Sequence, residues 1–163
     1  MGGAPRIPMT YRIVVGVDGS EHGEAALKWS LAEAEAHQPA ELTAVFAWEV
    51  PFLSFPGAFD RDELEQAGKE FIVETVSKVA PTPPVPLVTL VAEGDPAASL
   101  IKASEGADLL VVGTRGRSPW AGLLLGSVSQ RCAAGAACPV ALIKLPGERA
   151  SDSTPEESDI TPE

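Results

Sequence analysis

The chain has 163 residues, 45% of them apolar, and a formal net charge of −11; that length and composition suit one globular domain with a sizeable core. Residues 146–163 carry Glu148, Asp152, Glu156, Glu157, Asp159 and Glu163 against Arg149 alone, so much of the excess charge sits at the C-terminal end. The acidic balance lacks the basic footprint of a nucleic-acid binder, and no apolar run approaches the ~18 residues of a membrane span.

Cys132 and Cys138 lie six positions apart, and only His22 and His37 accompany them. That set fits no zinc or thioredoxin spacing and reads as buried free thiols in a reducing compartment. The opening "MGGAPRIPMTYR" holds no apolar h-region, and Arg6 stands where a myristoylation signal needs Ser or Thr. The expectation is a cytoplasmic protein with no secretory signal.

Residues 1–10 and 146–163 are poor in large apolar groups and read as a disordered extension and a disordered acidic tail around a domain at 11–145. "YRIVVGV" (11–17) predicts a strand buried on both faces. "GSEHGEAALKWSLAEAEAH" predicts a helix with Ser20 as its cap and Ala26, Leu27, Ser30, Leu31 and Ala34 on one stripe. "ELTAVFAWEV" (41–50) predicts a second strand, and "PFLSFPGAF" a loop. Residues 60–80 give the clearest helical rhythm, opened by Asp60 with Glu63 in a capping-box pattern and closed by "PTPPVP". "LVTLVAE" (87–93) is a third strand. "GDPAASLIKASEG" is a short helix with proline in its first turn and glycine past its end. "ADLLVVG" (107–113) and "PVALIKL" (139–145) are strands four and five. Between them lie a glycine-rich loop and a fourth helix.

Four strand–helix repeats and a closing strand argue for an α/β fold: one three-layer domain with a five-stranded parallel sheet and helices on both faces. Such sheets receive ligands beyond the carboxyl ends of their strands, where strand order reverses. Two loops qualify. The first is "GVDGS" (16–20), with Asp18 at the end of strand one; Asp18 also suits a helix cap. The second is the loop after strand four. There Gly113 and Gly116 permit unusual φ values and close backbone approach, Gly126 and Ser127 stand at a helix start, and Arg115 and Arg117 bring positive charge. These residues can cradle phosphate, or simply form tight turns and an N-cap. Neither G-x-x-x-x-G-K-[ST] nor G-x-G-x-x-G occurs, so a Walker A loop and hydride-transfer chemistry gain no support. Trp29 and Trp48 read as core or interface residues, Trp120 as a packing residue within the loop, and His22 as solvent-exposed, with a phosphate contact as its other reading.

The spacing Gly113-x2-Gly116-x9-Gly126-Ser127 matches the G-x2-G-x9-G-[ST] motif of the ATP-binding universal stress proteins. "IVVGVDGS", "GDPAASLIKAS", "ADLLVVGTRGRS" and "CPVALIK" resemble that family in the same order, over roughly residues 11–145. The resemblance implies strand order 3-2-1-4-5 and an adenine-nucleotide site holding ATP, with Mg²⁺ carried through the phosphates. By position, Gly16 and Val17 match residues lining the adenosine pocket, and Asp18 the acidic residue that contacts the nucleotide or its metal. Ala47 matches the strand-two position whose backbone reads the adenine edge. Val112, Gly113 and Gly116 match the ribose and phosphate loop, with Arg115 inside it, and Gly126, Ser127, Val128 and Ser129 the phosphate-binding helix start. Phe46 stands where members frequently have histidine.

Three functions follow as expectations: a stress-response module that binds ATP, a slow or partner-dependent ATPase, and a nucleotide-free dimeric scaffold. The intact motif argues against the last, and the absence of Glu, Gln or His from the glycine loop argues against a fast enzyme. Strand 139–145, apolar at a sheet edge, is expected to pair across a two-fold axis in a homodimer.

Overall fold

The structure is a computed structural model that describes residues 9–49, 60–117 and 125–148. Nine elements alternate along the described residues: β1 (Tyr11–Gly16), α1 (Glu21–Ala36), β2 (Ala40–Trp48), α2 (Arg61–Val79), β3 (Leu87–Glu93), α3 (Pro96–Ala103), β4 (Leu109–Gly113), α4 (Ser127–Gly135) and β5 (Val140–Ile143). The strands form one sheet in the order β3-β2-β1-β4-β5, every pair parallel. This is the expected α/β fold with the expected strand order.

Period-two alternation within the central strands divides the core into two layers. Ile13 and Val15 of β1, Leu42 and Ala44 of β2 and Val111 of β4 pack against Leu27 and Leu31 of α1 and Ile72 and Val76 of α2. Val14, Val45, Leu110 and Val112 face the other way, onto Ala97 and Leu100 of α3 and Cys132 of α4. Strands buried on both faces need apolar side chains at successive positions, which is why β1 and β4 read as unbroken Val/Ile/Leu runs.

Helix starts follow their capping chemistry. Ser20 Oγ accepts the Gly23 N–H at 3.0 Å. Asp60 accepts the N–H groups of Asp62 (2.9 Å) and Glu63 (3.4 Å). Asp95 accepts the Ala98 N–H at 2.8 Å, with Pro96 at the first helical position. Its other oxygen takes the Arg131 guanidinium at 2.6 Å, tying α3 to α4; that hydrogen bond, before the one from Ala98, holds the Asp95 carboxyl below its ordinary range. α4 differs: its N-cap is Gly126, and no side chain caps it.

Several expectations are corrected. β5 spans Val140–Ile143 rather than 139–145, because its neighbour β4 ends at Gly113, the partner of Ile143 in the register. Of the two readings of Trp29, core or interface, the core one falls, because the residue is 38% exposed on α1. Cys132 is buried, but Cys138 is only partly so. Burial pushes the Cys132 thiol up to about 11. Trp120, the loop 51–59, residues 1–8 and the tail from 149 lie outside the described residues.

Candidate functional site

The carboxyl ends of β1, β2 and β4 open into a cleft of about 430 Å³. β1 contributes Gly16, Val17 and Asp18, and β2 contributes Ala47. β4 and its loop contribute Val112, Gly113, Arg115 and Gly116; the start of α4 contributes Gly126, Ser127, Val128 and Ser129. All twelve candidate positions from the sequence therefore line one cavity, although they come from four separate segments. The topology explains this, since β1 and β4 are adjacent strands at which the chain order reverses.

The floor is buried and apolar, with Val17 2% and Val112 3% exposed. One wall is the tip of α4. The first N–H groups of any helix lack partners within it, and here Gly126 offers no side chain to satisfy them. The first bond of the ladder runs from the Gln130 N–H to the Gly126 carbonyl. The amides of Ser127, Val128 and Ser129 therefore stand at the positive end of the helix dipole, beside the cavity.

Two details change the sequence reading of this wall. The Gly126 N–H donates to the Thr114 carbonyl at 2.7 Å, so it fastens the loop to the helix instead of facing the cavity. The Ser129 hydroxyl, in a residue only 2% exposed, lies 3.0 Å from the Thr114 oxygen and 2.8 Å from the Gly126 oxygen and donates to those carbonyls. Its side chain holds the frame, while its backbone belongs to the helix tip.

None of Gly113, Gly116 and Gly126 has positive φ, and Gly113 and Gly116 are present for close approach. A Cβ on Gly113 would stand 2.7 Å from the His22 Cβ and 2.8–2.9 Å from the His22 backbone. A Cβ on Gly116 would stand 2.8 Å from Asp18 Oδ2. The loop after β4 is thus pressed onto the first turn of α1 and onto the Asp18 carboxylate. Asp18 Oδ1 accepts the Ser20 hydroxyl at 2.6 Å and the Ser20 N–H at 3.0 Å, so Asp18 supports the α1 cap through Ser20 and keeps Oδ2 toward the loop.

His22 was expected at the surface, and the structure buries it to 9% exposure. Its Nε2 donates to both oxygens of Glu148, at 3.2 and 3.1 Å. Arg115 Nη1 lies 3.6 Å from the same carboxylate. The His22 hydrogen bond is the main reason the Glu148 carboxyl sits below its ordinary range.

Phe46, Trp48, Glu49, Pro96 and Leu100 also line the cleft, and sequence reasoning did not place them there. A signal existed for three of them: Phe46, Trp48 and Glu49 flank Ala47 at the carboxyl end of β2. Phe46 is steadied by the Phe71 ring of α2 at 4.7 Å between centroids.

Arg117 lines the cleft as well. Among the described residues, the charged lining of the cleft comprises two cations, Arg115 and Arg117, and two carboxylates, Asp18 and Glu49. No group of three or more His, Cys, Asp or Glu side chains among the described residues could by itself hold a metal ion.

A parallel α/β sheet with a cavity at its switch point and an uncapped helix tip beside it is an architecture that receives ligands at the carboxyl ends of its strands. Residues 9–144 match the Universal stress protein family, and the chain belongs to that family. It is 36% identical over 139 residues to a universal stress protein of Thermus aquaticus, a match covering 83% of this chain and all of that protein. It is 34% identical over 135 residues to one from Mycobacterium tuberculosis, covering 82% of this chain but 45% of the relative, so the chain spans about half of that protein's length. A solved universal stress protein in complex with cAMP superposes with a TM-score of 0.63 at 26% identity, over 82% of this chain and 96% of that one.

Proposed function

We propose that the cleft binds an adenine nucleotide, ATP in the first instance, and that the protein is a binding module whose occupancy regulates a partner in a stress response. The observation that carries this reading is the convergence of the twelve motif-derived positions on one cavity walled by the uncapped tip of α4. The cAMP named for the related structure supports the same class of ligand.

In this reading the amides of Ser127, Val128 and Ser129, with those of Gly113 and Gly116, hold the phosphates. Gly16, Val17, Val112 and the Ala47 backbone border the nucleoside. Arg115 supplies charge. Mg²⁺ usually binds through one or two carboxylates together with substrate phosphates. One carboxylate, Asp18, with Oδ1 already engaged by Ser20, suits an ion that arrives on the nucleotide rather than one held in a protein cage. Phosphoryl transfer also needs a group that orients water. His22 is committed to Glu148, which favours binding over rapid turnover. A homodimer through the β5 edge belongs to the same proposal; that edge is four residues long and half-buried.

Denaturing the purified full chain and separating the released small molecules by chromatography tests the reading. An adenine nucleotide is expected. Saturating ATP–Mg²⁺ at ~100 times Kd stabilises by about 2.7 kcal/mol, a rise in Tm of roughly 5–10 °C. No released nucleotide and no rise leave the nucleotide-free scaffold standing. Phosphate release proportional to protein concentration and lost in Asp18→Ala marks an ATPase.

A further inference from the structure

Arg115 lines the cleft, yet its guanidinium faces an internal carboxylate. Glu148 reaches it by a turn after β5: Gly147 adopts φ +91° and the Glu148 N–H donates to the Leu145 carbonyl at 3.2 Å. The carboxylate then accepts His22 Nε2 at 3.1 and 3.2 Å and the Leu145 N–H at 3.4 Å. Arg115 Nη1 completes the cluster at 3.6 Å, too long for a hydrogen bond and therefore purely Coulombic.

The two ends of this cluster are held unequally. The His22 side chain is 11% exposed and that of Arg115 41%. Glu148 is anchored at the buried histidine and only loosely engaged at the arginine. An arginine side chain adopts one direction at a time. Turning its fork onto an anion in the cleft surrenders the 3.6 Å contact and leaves the His22 contact intact. Glu148 does not itself line the cleft; it reaches the site only through Arg115, which does.

We infer that Glu148 is an internal competitor for Arg115, so that an anionic ligand group in the cleft and the start of the C-terminal segment take the same guanidinium in turn. This rests on the nucleotide reading of the cleft. The coupling is reciprocal: a phosphate that draws Arg115 away weakens the hold on Glu148, and the Glu148 contact weakens phosphate binding in turn, so removing the Glu148 charge strengthens it.

Calorimetric titration of the full chain and of Glu148→Gln with AMP and with adenosine tests it. Gln is isosteric and can still accept the His22 and Leu145 N–H groups. AMP is expected to bind Glu148→Gln about two- to fivefold more tightly, the size of a half-exposed ion pair, while adenosine binds both proteins equally. In an Arg115→Gln background the gain should vanish. An equal gain for adenosine, no gain for AMP, or a gain that survives Arg115→Gln overturns the inference. If neither AMP nor adenosine binds either protein, the nucleotide reading fails by itself. Inorganic phosphate then decides the competition: tighter binding to Glu148→Gln supports it, and equal or undetectable binding overturns it.

Discussion

Replacing Gly113 with alanine tests why the loop after β4 is rich in glycine. The added Cβ meets the His22 Cβ at 2.7 Å and the His22 backbone carbon and oxygen at 2.8 and 2.9 Å. Two of those three atoms are backbone in the first turn of α1, a segment fixed by the Ser20 cap and by the Glu148 anchor on His22. Relief requires β4 and α1 to part by several tenths of an ångström. Overpacking of this kind costs about 1–3 kcal/mol, which lowers Tm by roughly 3–10 °C in a domain of this size. Gly126→Ala is the matched control. Its Cβ finds its nearest neighbours at 3.6 Å, an ordinary contact, and the native φ of −71° suits any residue, so stability should stay within about 0.5 kcal/mol. Thermal and urea unfolding of the two variants by circular dichroism read the difference. A Gly113→Ala protein melting within about 1 °C of wild type would refute the steric account. The comparison also governs functional tests, because loss of ligand binding in Gly113→Ala would mix destabilisation with site damage.

Asp95→Ala, which removes both the α3 cap and the partner of Arg131, should cost about 1–2 kcal/mol near neutral pH. Asp95→Asn, which keeps a capping oxygen, should cost less than about 1 kcal/mol, because the pair is half-exposed. The folded carboxyl of Asp95 is held low, so its charge-dependent stabilisation is present above about pH 4 and lost as pH falls through the folded value. Urea midpoints for wild type and Asp95→Asn should converge on acidification, and a gap that widens contradicts the pairing. Cys132, with its thiol raised to about 11 by burial, should resist a thiol reagent near neutral pH until the protein unfolds, whereas the half-buried Cys138 reacts earlier; mass spectrometry of the labelled peptides reads both. Ser20→Ala should cost about 1 kcal/mol by uncapping α1 and freeing Asp18 Oδ1, and an unchanged urea midpoint would count against that cap.

Much of the architecture was legible because it is written in local periodicity. β3 was read at 87–93, where it lies, and α2 at 60–80 against an observed Arg61–Val79. The cleft was legible for a different reason: switch-point topology selects the loops after β1 and β4, the glycine spacing selects the second again, and the cavity joins the two. What stayed hidden depends on contacts between distant positions. His22 is packed under the β4 loop and paired with Glu148, 126 residues away, and no window of sequence shows those contacts. The length of β5 depends on where β4 stops, not on its own apolar run. Of the two reasons read for Gly113 and Gly116, close approach holds and unusual φ does not. A pattern can mark a residue without a side chain, yet only the fold shows that His22 and Asp18 occupy the space.

Amide chemical shifts of the ¹⁵N-labelled full chain, followed while ATP–Mg²⁺ is added, test most directly whether the α4 tip grips phosphate. The largest movements should fall on Gly113, Gly116, Ser127, Val128 and Ser129, with Gly126 moving less because its N–H already serves Thr114. Spectra that do not change, or changes gathered away from the β4 loop and the α4 tip, would contradict the account.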